Sequence, residues 1–340
     1  MDTNQKSLLL EEAAQRRGLP CRRLSYYVIA VEIGSREYVF QQFSGPSASS
    51  VAKYLCDHKQ LAKDLLSRAG VPTNPGRDFA LDDDRAIADF ADSLDGPVVI
   101  KPSSLSKGRG VTVNVTTREA SMAAAAKVRT LYCDLFGSPS SVSRILVEHQ
   151  FEGGDVFRFF VVGNEVVSVT RYSPAQVRGD GRSTVLELIR RKNQHRSEIP
   201  YYRERLIPEA VDALDGLHRT GLGLDDVPVV DQEVQLSDVS NPSLGGETVD
   251  VTEDVHLSYK DLATQAIRAI PGMEYGGVDI FIRDHLSPCN SINCAVSEVE
   301  FSPAPTGMFP TIGTPRDIAG AILEFETGFR RSVAADSEQP

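Results

Sequence analysis

The chain has 340 residues, 41% of them hydrophobic and 24% charged, with a formal net charge of −11. That is enough chain for two or three packed subdomains. An acidic chain whose one run of three basic residues is Arg190-Arg191-Lys192 is a poor candidate for nucleic acid or an anionic membrane. No apolar run approaches the ~20 residues of a membrane span, and the polar N-terminus lacks a signal-peptide pattern. Cys21, Cys56, Cys133, Cys289 and Cys294 are scattered, without a C-x-x-C pair, so they read as reduced thiols of a cytoplasmic protein.

In chain order, Leu8–Arg17 reads as an amphipathic helix that Gly18 and Pro20 end. Arg23–Ile33 reads as a strand and Tyr38–Phe40 as its hairpin partner, together a small, incomplete α/β cap. Ser47–Leu55, His58–Ala69 and Asp82–Leu94 read as helices, and Glu119–Leu135 as a longer one. Arg144–Glu148 is strand-like, and Val156–Val162 with Glu165–Thr170 forms a hairpin about Gly163-Asn164, a composition that tolerates positive φ. Ser183–Lys192 is helical, followed to about Asp215 by an arginine-rich stretch without strong periodicity. A strand at Gln232–Leu236, a tight loop at Asn241–Gly246, a helix at Tyr259–Ile270, strands at Gly277–Arg283 and Cys294–Phe301 and a last helix at Asp317–Phe329 complete the chain. Hairpins dominate, so the class is α+β and not a doubly wound parallel sheet.

Pro97–Val113 carries the first chemical signal. Val98-Val99-Ile100 ends on Lys101-Pro102, a small-residue loop with Ser103, Ser104, Ser106, Gly108 and Gly110 follows, and Val111-Thr112-Val113 leaves it. Such a loop lets backbone N–H groups approach an anion, and Lys101 and Lys107 bring positive charge to it. No G-x-x-x-x-G-K-[ST] string is present, so this is not the helix-capping phosphate loop. Alone, the pattern fits an ordinary glycine hairpin with solvated lysines equally well.

The second signal is a carboxylate set. Strand alternation puts Glu298 and Glu300 on one face, and a hairpin about residues 284–293 brings Asp279 nearly opposite them. Three converging carboxylates repel unless a cation sits among them, and an all-oxygen set suits Mg²⁺ or Mn²⁺. A solvated acidic strand face is the alternative. A lysine-bearing glycine loop with carboxylates for a magnesium ion is the usual equipment for phosphoryl transfer.

Together these strings resemble the ATP-grasp superfamily, and within it the ATP-grasp module of cyanophycin synthetases and bifunctional glutathione synthetases. The resemblance runs from about Ser47 to Phe325. It is carried by Asp57-His58-Lys59 through Lys63 with Gly70-Val71-Pro72, by Val99–Pro102 with Gly108–Val113, and by Val147-Glu148 with Gly154-Asp155. Arg171–Ala175 with Gly179-Asp180-Gly181, Asn241-x-Ser243-x-Gly245-Gly246, Gly277–Ile280 and Glu298-Val299-Glu300-x-Ser302-Pro303 add to it.

The resemblance implies an ATP-dependent carboxylate–amine ligase that acts on amino acids or small peptides through an acyl phosphate, with ATP and Mg²⁺. Lys59 and Lys101 would contact the phosphates, with Lys107, Gly108 and Gly110 in the mobile loop. Glu148, His149, Gln150 and Phe151 would read the adenine, partly through backbone, and Asp155 the ribose. Asp279, Glu298 and Glu300 would hold metal, while Arg158, Arg171 and Asn241 would face the acyl phosphate and the substrate carboxylate. Arg158 alternates with Phe157 and Phe159, which also fits a structural pairing with a neighbouring acid, and His256 reads as a loop buttress. The implied organisation is a truncated cap over 1–56, an ATP-grasp domain over 57–330 with a lid at about 97–146 and a helical insertion at about 178–226, and a disordered tail over 331–340. The resemblance admits a homodimer. Two departures stand out: Glu300 replaces the family's Asn, and Ser104-Leu105-Ser106-Lys107 replaces Asp-Gly-Asn-His. They leave open an ATP-binding module with impaired catalysis that acts as a partner or sensor; a ligase with a non-amine acceptor is a further alternative. Without a second ligase domain or a glutamate–cysteine ligase domain in the sequence, the chain reads as a stand-alone module.

Overall fold

The structure, a computed structural model, describes residues 4–105, 108–138, 143–211, 214, 216–237 and 239–329. Helix α1 (Gln5–Arg16) is capped by Asn4, whose side chain accepts from the Lys6 backbone N–H at 3.0 Å. It packs Leu9, Leu10, Ala13 and Ala14 against a small sheet of β1 (Cys21–Arg23), β2 (Val28–Ile33) and β3 (Arg36–Gln41). The strand expected over Arg23–Ile33 is therefore two strands. The chain turns at residues 24–27, where the Leu24 and Ser25 N–H groups both donate to the Val28 carbonyl, and β1 pairs back on β2.

Helices α2 (Ser50–Asp57) and α3 (Lys59–Arg68) lead into a four-stranded antiparallel sheet ordered β4-β7-β5-β6. Its strands are β4 (Gly76–Ala80), β5 (Val98–Pro102), β6 (Thr112–Val115) and β7 (Arg144–His149). Helices α4 (Asp84–Ser93) and α5 (Arg118–Phe136) cover one face, around Phe79, Ile87, Ile100, Val128 and Ile145. Sequence reasoning passed over β4 because Gly-Arg-Asp is weak strand material. The position needs glycine: a Cβ at Gly76 would stand 2.7 Å from Cβ of Glu148, its partner on β7. The unit around the glycine loop thus begins earlier than residue 97, with β4 and α4.

The largest sheet has five antiparallel strands, ordered β12-β9-β8-β13-β14. They are β8 (Asp155–Val162), β9 (Glu165–Ser173), β12 (Glu247–Asp250), β13 (Tyr275–Ile282) and β14 (Cys294–Glu300). One face carries Phe157, Phe159, Val278 and Ile280 and packs on α8 (Leu257–Ala269) and on Leu66 of α3. At one end Phe160, Val162 and Tyr275 meet α1 and α9 (Ile318–Thr327).

Between β9 and β12 lies a lobe with its own core, built from β10 (Gln176–Arg178), α6 (Val185–Glu198), α7 (Leu217–Thr220) and β11 (Glu233–Gln235). Helix α6 starts on a capping box between Thr184 and Glu187. It runs to Glu198, well past the expected end at Lys192, because its second half turns polar groups inward. The Asn193 side chain bonds both the N–H and the carbonyl of Ile207. The buried Arg196 guanidinium donates to the carbonyls of Arg205, Pro242 and Gly246. Hydrophobic periodicity cannot register a helix face buried through hydrogen bonds.

Candidate active site

Lysines and carboxylates meet between the four-stranded sheet and the five-stranded sheet. On β5, Val99 and Lys101 share the face opposite the α4–α5 core, and Glu148 of β7 pairs with Val99 on that same face. Helix α3 docks there. Its Lys59 N–H donates to the Ser103 carbonyl at 3.1 Å and its Nζ to the Leu105 carbonyl at 2.7 Å, both in the strap that leaves β5. One turn on, Lys63 donates to Glu148 Oε2 at 2.5 Å, while Lys101 donates to Glu148 Oε1. Lys63, Lys101 and Glu148 are 4%, 8% and 2% exposed, so this charged triad is sealed from water. Burial alone would raise the Glu148 carboxyl, but the Lys101 and Lys63 charges outweigh it and hold it down at about 2.

From the other side, β13 and β14 pair Asp279 directly with Glu298 and Gly277 with Glu300. Carboxylate oxygens of Asp279, Glu298 and Glu300 lie within 4.8 Å of one another, as alternation predicts. Arg158 enters from β8, where it pairs with Asp279. Its Nε and Nη2 grip both Asp279 oxygens, and Nη2 also donates to Glu300 Oε1 at 3.0 Å. Gly277 makes room: a Cβ there would stand 3.1 Å from Arg158 Cδ and 2.8 Å from Pro303 Cβ. Lys59 Nζ lies 3.4 Å from Glu298 Oε2, so both lysine-bearing elements face the carboxylates.

The expected mutual repulsion of the three acids is thus already relieved in part by Arg158 and Lys59. What remains is visible at Glu300. Its burial, with the Glu298 and Asp279 charges, pushes its carboxyl up to about 7, and it shares a hydrogen bond with Glu298, whose carboxyl stays low beside Lys59 and Lys101. The donor set is all oxygen, and Glu298 and Glu300 are partly open, so these residues fit a hard divalent ion.

The other expected residues divide clearly. Asn241 opens the short 3-10 turn Pro242–Leu244, its Oδ1 accepting from the Ser243 N–H at 2.9 Å. Its Nδ2 faces Gly108, where a Cβ would come within 3.8 Å, so Asn241 lies beside the glycine loop. Gly108 and Gly110 have φ of +71° and +72°. Lys107 and Ser106 lie outside the described residues. His149, Gln150 and Phe151 line a concavity with Pro72, Asn74 and Arg283. Phe151 stacks on Phe281 at 5.6 Å, and the Gln150 side chain exchanges hydrogen bonds of 2.6 and 2.7 Å with Asn114 at β6. The Glu148 side chain is not available to a base, since both lysines hold it.

Arg171 and Asp155 are not on the carboxylate face. Arg171 pairs with Phe157 and Val249, and Asp155 with Ile282, all on the α8 side of the sheet, where the two charges lie 3.9 Å apart. Strand alternation from Arg158 places them on the opposite side. The side chain of His256 caps α8 by accepting from the Ser258 N–H at 3.2 Å, the buttress expected of it. Lys63 and Gly277 are the site residues that sequence reasoning left without a role. The four-residue spacing of Lys59 and Lys63 on one helix face was the available signal for the former.

An antiparallel sheet with a lysine strand and glycine loop, closing on a second sheet that presents a carboxylate set, defines the class: this chain is an ATP-grasp protein. The phosphoribosylglycinamide synthetase ATP-grasp (A) domain family matches residues 57–177. Cyanophycin synthetase of Synechocystis sp. is 33% identical over 273 residues, 79% of this chain and 30% of that protein. The glutathione biosynthesis bifunctional protein of Desulfotalea psychrophila is 30% identical over 324 residues, 93% of this chain and 40% of its own length. The crystal structure of a bifunctional glutathione synthetase from Pasteurella multocida superposes with a TM-score of 0.71 at 26% identity, covering 96% of this chain and 43% of that one. The chain therefore spans 30–43% of the length of these relatives.

Proposed function

We propose that this protein is an ATP-dependent carboxylate–amine ligase joining amino acids or small peptides. The observation that carries the reading is the meeting of two lysines with the Asp279, Glu298 and Glu300 carboxylates between two sheets: Lys59 pairs with Glu298, and Lys101, held by Glu148, acts on Glu298 through its charge. In the reaction, an oxygen of the substrate carboxylate attacks the γ-phosphorus of ATP. The bond from that phosphorus to the bridging oxygen breaks, and ADP leaves. An amine nitrogen then attacks the acyl phosphate carbon, phosphate departs, and the nitrogen sheds a proton.

Lys101 and Lys59 bind the phosphates and stabilise the charge that spreads over the transferring group. Asp279, Glu298 and Glu300 would hold magnesium, which when bound supplies neutralising charge beside the phosphates. The Arg158 guanidinium, fixed by Asp279 and Glu300, sits beside the reacting centre and orients the acids. Residues His149–Phe151 receive the base at the junction of the two sheets, and the loop at Gly108–Gly110 with Asn241 excludes water from the acyl phosphate. The side of the sheet occupied by Arg171 and Asp155 leaves their expected substrate and ribose contacts without support from the geometry. No helix among the described residues is long and apolar enough to cross a membrane. The decisive experiment incubates the protein with ATP, magnesium and an amino-acid pool, measures ADP and phosphate, and weighs the product. ADP release that depends on a carboxylate and an amine, with a product lighter than their sum by one water, is expected. Tight ATP binding without ADP release in any pool would sink the ligase reading.

A further inference from the structure

Lys63 stands one helical turn beyond Lys59, is 4% exposed, and makes a hydrogen-bonded ion pair with Glu148 at 2.5 Å. A buried lysine is costly unless something is gained from its charge. The gain is visible in the arithmetic of the triad. Glu148 holds Lys101 through Oε1, and with no other partner it would cancel the Lys101 charge. With Lys63 on Oε2, two positive charges share one negative charge, and the set keeps a net charge of about +1 at the phosphate-facing strand. We infer that Lys63 is a positioning residue for nucleotide binding: it occupies the second oxygen of Glu148, so that the triad keeps a surplus positive charge at Lys101 for a polyphosphate.

The inference rests on the nucleotide reading of this site and goes beyond it, since Lys63 acts through Glu148. The charged groups that face Lys63 are Glu148 of β7, Lys101 of β5 and, further off, Glu298 of β14. Their effect on the two lysines differs. Lys101 is held above its ordinary value by Glu148 and Glu298 against burial, whereas Lys63, buried and facing Lys101, is lowered. Lys63 is therefore the member under electrostatic tension, and its removal is felt at Lys101 through the shared carboxylate.

The test uses ADP with magnesium as the probe, read by calorimetry on the full chain. Lys63→Met should raise the ADP dissociation constant about tenfold or more, as for loss of one partner in a buried charge pair, and Lys63→Arg should recover most of it. In a Glu148→Gln background there is no countercharge to share, so Lys63→Met should then change affinity by less than about twofold. A purely structural role would instead give the same loss in both backgrounds. Where Lys63→Met alone fails to fold, Lys63→Met/Glu148→Gln removes the stranded carboxylate and gives the comparison with Glu148→Gln directly. Equal ADP affinity in wild type and Lys63→Met, or additive effects in the two backgrounds, overturns the inference while leaving the nucleotide site intact. A wild type that binds neither ADP nor ATP overturns the nucleotide reading itself.

Discussion

At the scale of single residues, two carboxyl groups behave oppositely because their neighbours differ. Glu148 is held at about 2 although burial opposes it, since Lys101 and Lys63 both bond it. Its folded value lies below its unfolded one, so its contribution to stability is present above about pH 4.3 and lost as pH falls towards about 2. Chemical denaturation at pH 5 and pH 2.5 should show wild type losing more stability than Glu148→Gln over that interval. Glu300 is raised to about 7 by burial and by Glu298 and Asp279. A cation bound there would compete with a proton on Glu300, so magnesium binding should tighten as pH rises through about 7 and should release protons, seen as a buffer-dependent heat. In Glu300→Asn that proton release should shrink. Gly277→Ala should disturb the seat of Arg158 between Asp279 and Glu300, since the new Cβ would be wedged between Pro303 Cβ at 2.8 Å and Arg158 Cδ at 3.1 Å and the flexible arginine gives way first. Turnover should fall well before stability does, because Arg158 has to move to make room at the site.

At the scale of elements, the site depends on a few contacts between units. Helix α6 reaches the Asn241 loop with Arg196, which is 1% exposed and donates to the Pro242, Gly246 and Arg205 carbonyls while lying over the Tyr202 ring at 4.6 Å. Burial lowers this guanidinium from its ordinary value, and no described residue forms a salt bridge with it. Arg196→Met should cost about 2–4 kcal/mol through three carbonyls that lose their donor, read from the denaturant midpoint. Added substrate should then protect the Asn241 segment less against hydrogen exchange. The interior of α6 was illegible in the sequence for the same reason: Asn193 and Arg196 are polar letters in core positions. The strands β4, β10 and β12 were missed because each is held by its partner, as β12 is by residues 170–173 of β9, more than by its own composition.

At the scale of the whole molecule, two sheets contribute opposite charges to one cleft, and a bound nucleotide would tie them together. A ligand at a hundred times its dissociation constant adds about 2.7 kcal/mol to stability. ATP with magnesium should therefore raise the melting temperature by several degrees, and chelation of the divalent ion should remove most of that shift. The sequence by itself determined the α+β class, the strand that ends on Lys101 with the glycine-bearing connection to its partner, and the pairing of Asp279 with Glu298. Those follow from local periodicity, turn residues and the two-residue repeat of a strand. Only the tertiary structure decided that Glu148 is a counter-ion to Lys63 and Lys101, that Arg158 stands among the acids, and that Arg171 and Asp155 lie across the sheet from them. Long-range register sets which charges meet, and 85 positions separate Lys63 from the carboxylate that gives it a purpose.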